Sequence, residues 1–259
     1  MKKYISIITI AVCCITMLIG SCSKKDDATA PTTSPNGNAF IKISQFSPNF
    51  RQTFNNRDSF NIYVNNVKVN GTFLTYGSIY PSVTNLYAAV PAGPAAIKIS
   101  IVGVNSLDSI VVSTINKTLT AGSYYSFIMT DSVLNTNESK QIFLQDNFVR
   151  SDTSHFTVRF VHAILNDTTG KNVDVYSTRL ASNVFSNISP GTVTPFIAEP
   201  YNLIADTLIV RRAGSAFELA RLSTVATAIN RERAYTLVYK GTPLTTGTKP
   251  RSLIFFPNQ

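Results

Sequence analysis

From residue 39 onward, apolar and polar residues alternate with period two in short runs. The clearest are FIKISQF (40–46), FNIYVNNVKV (60–69), AIKISIVGV (96–104), SIVVSTI (109–115), YYSFIM (124–129) and QIFLQ (141–145). Gly, Pro, Asn and Asp punctuate the gaps. Successive side chains of a strand point to opposite faces, so such runs predict half-buried strands. Several short strands at regular spacing predict an all-β sandwich. No stretch after residue 38 has the 3.6-residue period of a long amphipathic helix.

The pattern then restarts. IKISQFSPN (41–49) is answered by VRFVHAILN (158–166), and SFNIYVNNVKV (59–69) by NVDVYSTRLAS (172–182). AIKISIV (96–102) is answered by TLIVRRA (207–213), AGSYYSFIM (121–129) by RERAYTLVY (231–239), and QIFLQDN (141–147) by SLIFFPN (252–258). The offset drifts between about 110 and 117 residues, which loop insertions accommodate. The expectation is two tandem antiparallel β-sandwich domains, 39–150 and 151–259, with the boundary in the polar stretch VRSDTS (149–154).

The order of these motifs resembles the domain of unknown function 4397 family. The first copy carries IKISQFSPN, FNIYVNNVKV, VPAGPAAIKIS and LTAGSYYSFI; the second carries VRFVHA, VDVY and AYTLV. The resemblance implies secreted or surface bacterial proteins, often with tandem copies, and a sandwich of the immunoglobulin or transthyretin kind. The second copy departs from the pattern at EPYNLIA (199–205), where the Gly of the VPAG turn is missing.

The beginning of the chain changes the picture from fold to address. Lys2 and Lys3 precede an apolar stretch from Tyr4 to Gly20, and small residues Gly20 and Ser21 precede Cys22. This is the layout of a secretory signal. With Cys at the first mature position it resembles the bacterial lipoprotein signal, which implies cleavage after residue 21 and a diacylglycerol on the Cys22 sulfur. Two or more acyl chains anchor a protein stably. Ser23 is compatible with sorting to the outer membrane, and Lys24-Lys25-Asp26-Asp27 resembles a surface-export signal of one branch of diderm bacteria. Residues 22–38, rich in Pro, Thr, Gly and Asn, read as a flexible tether. Cys13 and Cys14 leave with the leader and Cys22 is lipidated, so no thiol remains for a disulfide, metal or nucleophile.

Charge excludes more than it suggests. The net charge is +9, or +7 without the leader lysines, divided +3 and +4 between the two halves. A nucleic-acid binder shows a clustered basic stripe with aromatics. The densest basic clusters here are only Arg211-Arg212 and Arg231-Glu232-Arg233. Attraction to anionic cell-surface glycans fits an even excess better.

Candidate chemistry is sparse. His155 and His162 are the only histidines, and no HExxH, EF-hand, GxSxG or P-loop pattern occurs. No catalytic residue, metal site or cofactor is expected. His162 and Asp174 take the family's His and Asp positions in the second copy, where the first has Gln45 and Asn61. A catalytic pair does not survive that exchange. Val158, Phe160 and His162 share a strand face, as do Ile41, Ile43 and Gln45, whereas Asp174 with Tyr176, and Asn61 with Tyr63, face the other way. A polar group at the end of a core face needs a hydrogen-bond partner, and pinning the next loop is the natural task for His162 and Gln45. Gly93 and Gly122 occupy turn positions where positive φ is cheap. Four Asp-Ser/Thr triplets place Ser109, Ser132, Thr168 and Thr207 in a sequence resembling an extracytoplasmic O-glycosylation sequon; Asp-Ser/Thr also marks turns that open strands.

The functional expectation is a lipid-anchored outer-membrane protein at the cell surface. It acts as a non-enzymatic binding or adhesion module, with a glycan or surface protein as partner and no nucleic acid. The loops after the first strand of each copy, 47–58 with Arg51, Phe54 and Arg57, and 164–172, are the recognition candidates. A structural envelope spacer is the alternative, and an enzyme acting on an envelope polymer a third reading.

Overall fold

A computed structural model describes residues 37–48, 59–82, 86–101, 110–130, 141–149, 152–165, 167, 171–201, 206–224, 229–243 and 249–258. The described residues form strands and no α-helix. The first repeat contains β1 (Asn38–Gln45), β2 (Phe60–Val64), β3 (Val67–Lys68), β4 (Ile79–Tyr80), β5 (Ala88–Pro91), β6 (Gly93–Ile101), β7 (Ile110–Leu119), β8 (Tyr124–Met129) and β9 (Ile142–Gln145). The second contains β10 (His155–His162), β11 (Val173–Ser177), β12 (Ser182–Ile188), β13 (Ile197–Pro200), β14 (Thr207–Arg212), β15 (Glu218–Ser223), β16 (Ala234–Lys240) and β17 (Ser252–Pro257).

Each repeat splits its strands between two sheets. One sheet of the first runs β4-β1-β8-β9, with β5 beside β4 on the same edge of β1; the other runs β3-β2-β6-β7. The second repeat gives β13-β10-β16-β17 and β12-β11-β14-β15. Pairing is antiparallel except β1 with β8 and β10 with β16. The all-β sandwich is therefore the fold. The immunoglobulin constant order keeps its first two strands on one sheet; here β1 and β2, and likewise β10 and β11, lie in opposite sheets.

Local chemistry explains the turns. The run 60–69 is a hairpin, not one strand: Asn65 and Asn66 both take positive φ, 50° and 68°, in a two-residue turn. Asn tolerates that region, which is what a tight hairpin turn requires. The turn before β8 has Gly122 at φ 74°, and the turn before β16 has Glu232 at φ 57° in the same place. Their amides make matching bonds, Gly122 N–H to Asn38 O (2.8 Å) and Glu232 N–H to His155 O (2.9 Å). Gly93 also has positive φ, as its turn position implies. In both repeats a tyrosine closes the corner. Tyr125 Oη accepts the Thr120 amide at 2.9 Å, and Tyr235 Oη accepts the Asn230 amide at 2.7 Å.

Each sandwich has its own core. Ile41, Ile43, Ile62, Ile97, Ile99 and Phe127 anchor the first; Phe160, Val173, Val175, Val210 and Leu237 anchor the second. Burying side chains of this size contributes about 2 kcal/mol each. A third cluster joins them: Phe46 and Ile128 of the first repeat pack with Val161, Ala163, Val238 and Phe256 of the second. The sheets carrying β1 and β10 thus lie face to face, and residues 33–259 form one compact unit.

Candidate functional site

The seam between these two sheets buries three charged side chains, Lys42, Asp146 and Arg159, at positions related by the repeat. Lys42 on β1 and Arg159 on β10 are equivalent by register, opposite Ser126 and Thr236, and only 3% and 1% exposed. Arg159 Nη1 pairs with the Asp146 carboxylate, both side chains buried. Arg159 Nε donates to Thr236 Oγ1 (2.9 Å) and Nη2 to Ser126 Oγ (3.1 Å). Ser126 Oγ and Tyr87 Oη each donate to Asp146 Oδ2 at 2.6 Å. Asn258, which strand register makes the counterpart of Asp146, one place off the pairing of QIFLQDN with SLIFFPN, donates Nδ2–H to Tyr87 Oη (2.9 Å) and accepts from Thr236 Oγ1. Lys42 Nζ donates to Pro257 O and lies 4.9 Å from the Tyr87 ring centre, while the Arg159 guanidinium lies 4.7 Å from that of Phe196. Burial lowers the Lys42 ammonium to about 7, against the pull of Asp146. Phe148, in the connection between the repeats, makes edge-on ring contacts with Tyr87 and Tyr124 and a tilted one with Phe196.

The two repeats run the same way across the seam. Asn38 and His155 open β1 and β10 beside the turns that precede β8 and β16. At the opposite end, about 25 Å away along an eight-residue strand, the β16–β17 hairpin ties both loop roots together. Its Lys249 Nζ donates to Pro48 O at 3.0 Å, at the root of the 47–58 loop. Its Arg251 Nη2 donates to both Asp167 oxygens, at 2.9 and 3.1 Å, under the 164–172 loop. The Arg251–Asp167 pair is buried. Gly241 makes the hairpin possible: at φ 125°, a Cβ there would lie 2.3 Å from Pro250 O.

His162 and Gln45 do what their strand positions imply. His162 Nε2 donates to Lys171 O at 3.1 Å, just before β11. Gln45 Oε1 accepts the Ser47 amide at 2.7 Å. Burial first of all holds His162 down at about 4, although the Lys171 bond and Asp167 favour its charged form. Asp174 instead accepts the amides of Asn187 (2.7 Å) and Gly214 (2.9 Å), and its neighbour Tyr176 stacks under Arg211 at 3.6 Å. His162 and Asp174 are bonded to separate partners. Asp152, Ser154 and His155 also come together, but Asp152 Oδ1 (2.7 Å) and Ser154 Oγ (2.8 Å) both contact His155 Nδ1. A relay needs the acid and the nucleophile on different ring nitrogens; this is a turn clasp.

Thr207 opens β14, partly exposed, beside a buried Asp206. Asp206 accepts from Ser177 Oγ (2.6 Å), Thr178 Oγ1 (3.0 Å) and the Arg179 amide (2.9 Å), so this triplet serves the opening of a strand. Cys22, Ser109, Ser132, Thr168, Arg51, Phe54 and Arg57 lie outside the described residues. Among the described residues no group of His, Cys, Asp and Glu side chains is placed to hold a metal. No family model matches the chain, and no curated protein matches it.

Proposed function

We propose that the chain is an outer-membrane lipoprotein, anchored through acyl groups on Cys22, that displays a double β-sandwich at the cell surface as a non-enzymatic binding or adhesion module. The observation that carries this reading is polarity. The described chain enters at Asn38 at one end, and one hairpin gathers the roots of both candidate loops at the other. A flexible tether that enters at the first end leaves the loops at the other end free for contacts. Loops on a rigid scaffold are the usual carriers of recognition. The resemblance to the domain of unknown function 4397 family leads to the same class of protein. A second reading, an envelope spacer, draws on the ten-residue strand β7 at the edge of its sheet, which can pair with another chain.

Replacing the acylated residue tests the anchor. In Cys22→Ala, the protein is expected in the soluble fraction after cell lysis, with no incorporation of a labelled fatty acid. A variant that stays in the membrane fraction would remove lipid anchoring from the account.

A further inference from the structure

At the loop-bearing end of the seam two ammonium groups meet a buried hydroxyl. Tyr76, before β4, has a buried phenol oxygen with no hydrogen-bond partner among the described residues. Two lysines of the second sandwich converge on its ring: Lys240 Nζ lies 4.6 Å and Lys249 Nζ 4.7 Å from the ring centre. Lys240 also lies 5.8 Å from the Phe46 ring and donates to Ser252 Oγ at 3.3 Å. No carboxylate pairs with Lys240 among the described residues, whereas the buried Arg159 and Arg251 each have one. Burial raises the Tyr76 phenol to about 12, so its hydroxyl stays a donor, and burial is also what lowers Lys240. Both lysines are only partly buried and stand at the rim. Among the described residues Lys240 is thus a cation with no carboxylate, beside a hydroxyl donor with no acceptor, and an anionic acceptor suits both.

We propose that Tyr76, Lys240 and Lys249 bind an acidic group, carboxylate or sulfate, of an acidic polysaccharide. The proposal rests on the surface-display reading for its ligand class. The site lies at the end of the seam opposite Asn38. The mature charge of +7 is spread along the chain, which suits an extended polyanion better than a compact one. Ring and ammonium groups come from opposite sandwiches, so the site exists only while the seam is closed.

The test uses the full chain in detergent micelles, titrated with polygalacturonate, dextran sulfate, polyglutamate and neutral dextran. Binding to at least one of the two acidic glycans and not to neutral dextran is expected, and which of them binds separates carboxylate from sulfate. The double variant Lys240→Gln/Lys249→Gln should weaken it about tenfold or more, the worth of one charge-assisted bond. Tyr76→Phe, which keeps the ring, should weaken it several-fold. Lys68→Gln/Lys98→Gln, an equal loss of charge elsewhere, should leave it nearly unchanged. The site is refuted if neither acidic glycan binds, if only polyglutamate binds, or if both double variants behave alike. A protein that binds as expected but faces the periplasm would overturn surface display and leave the site standing.

Discussion

Asp146→Ala is expected to destabilise the protein by about 4 kcal/mol and to loosen the two sandwiches from each other. Breaking a buried ion pair by removing one partner typically costs 3–5 kcal/mol, because the other charge is left buried and uncompensated. Here two cations are stranded. Arg159 loses its carboxylate, and Lys42 loses the negative charge that opposes its desolvation. Tyr87 and Ser126 lose their acceptor as well. All of these groups lie between the sheets, so the loss falls on the seam. Urea unfolding followed by tyrosine fluorescence should move from one transition to two. The combined variant Asp146→Leu/Arg159→Met should cost much less than the sum of its singles, since it removes both charges together. Additive effects, with a single transition throughout, would mean the ion pair does not hold the seam.

The second large effect is in acid. His162 titrates at about 4 in the folded chain and near 6.5 when unfolded. Its folded value is depressed, so the unfolded state binds more protons between these limits. Stability is therefore lost as pH falls from 6.5 toward 4, by about 3 kcal/mol for this group. His162→Gln substitutes the residue that the first repeat uses at Gln45. The variant should lie within about 1 kcal/mol of the parent at pH 7.5, as an exchange that keeps a polar partner for Lys171 O. It should gain about 3 kcal/mol relative to the parent by pH 4, the reverse of the parent's linkage. Urea midpoints at a series of pH values measure this. A difference between variant and parent that stays constant with pH would place the acid sensitivity elsewhere.

Both effects depend on what the seam and the strand ends bury, and the sequence discloses these unequally. The period-two runs locate β1, β8 and β10 because one face of each packs on its own sandwich core. Alternation identifies that face and is silent about the other. Lys42 and Arg159 occupy the second faces of β1 and β10, where a charged residue ordinarily meets water; burial there arises only because one repeat docks on the other. The hairpin at Asn65-Asn66 hides inside an apparent single strand, because a two-residue turn interrupts the alternation too briefly to register. Strands β5, β12, β13 and β15 carry weak patterns, with several exposed or half-buried positions each. The loop-pinning role of His162 and Gln45 was legible, since it follows from a polar group at the end of an apolar face. The Tyr76, Lys240 and Lys249 site was not. Tyr76 is more than 160 residues from the two lysines in the chain and meets them only across the seam.

Surface display is the central claim, and accessibility on living cells tests it most directly. On the proposed processing, which removes Cys13 and Cys14 with the leader and acylates Cys22, a cysteine introduced by Val67→Cys, at a position 60% exposed, is the only free thiol of the mature chain. A maleimide carrying a polymer too large to cross the outer membrane is added to intact cells and, separately, to lysed cells. The account predicts equal labelling in both. Labelling only after lysis would mean that the double sandwich faces the periplasm, and display at the cell surface would be wrong.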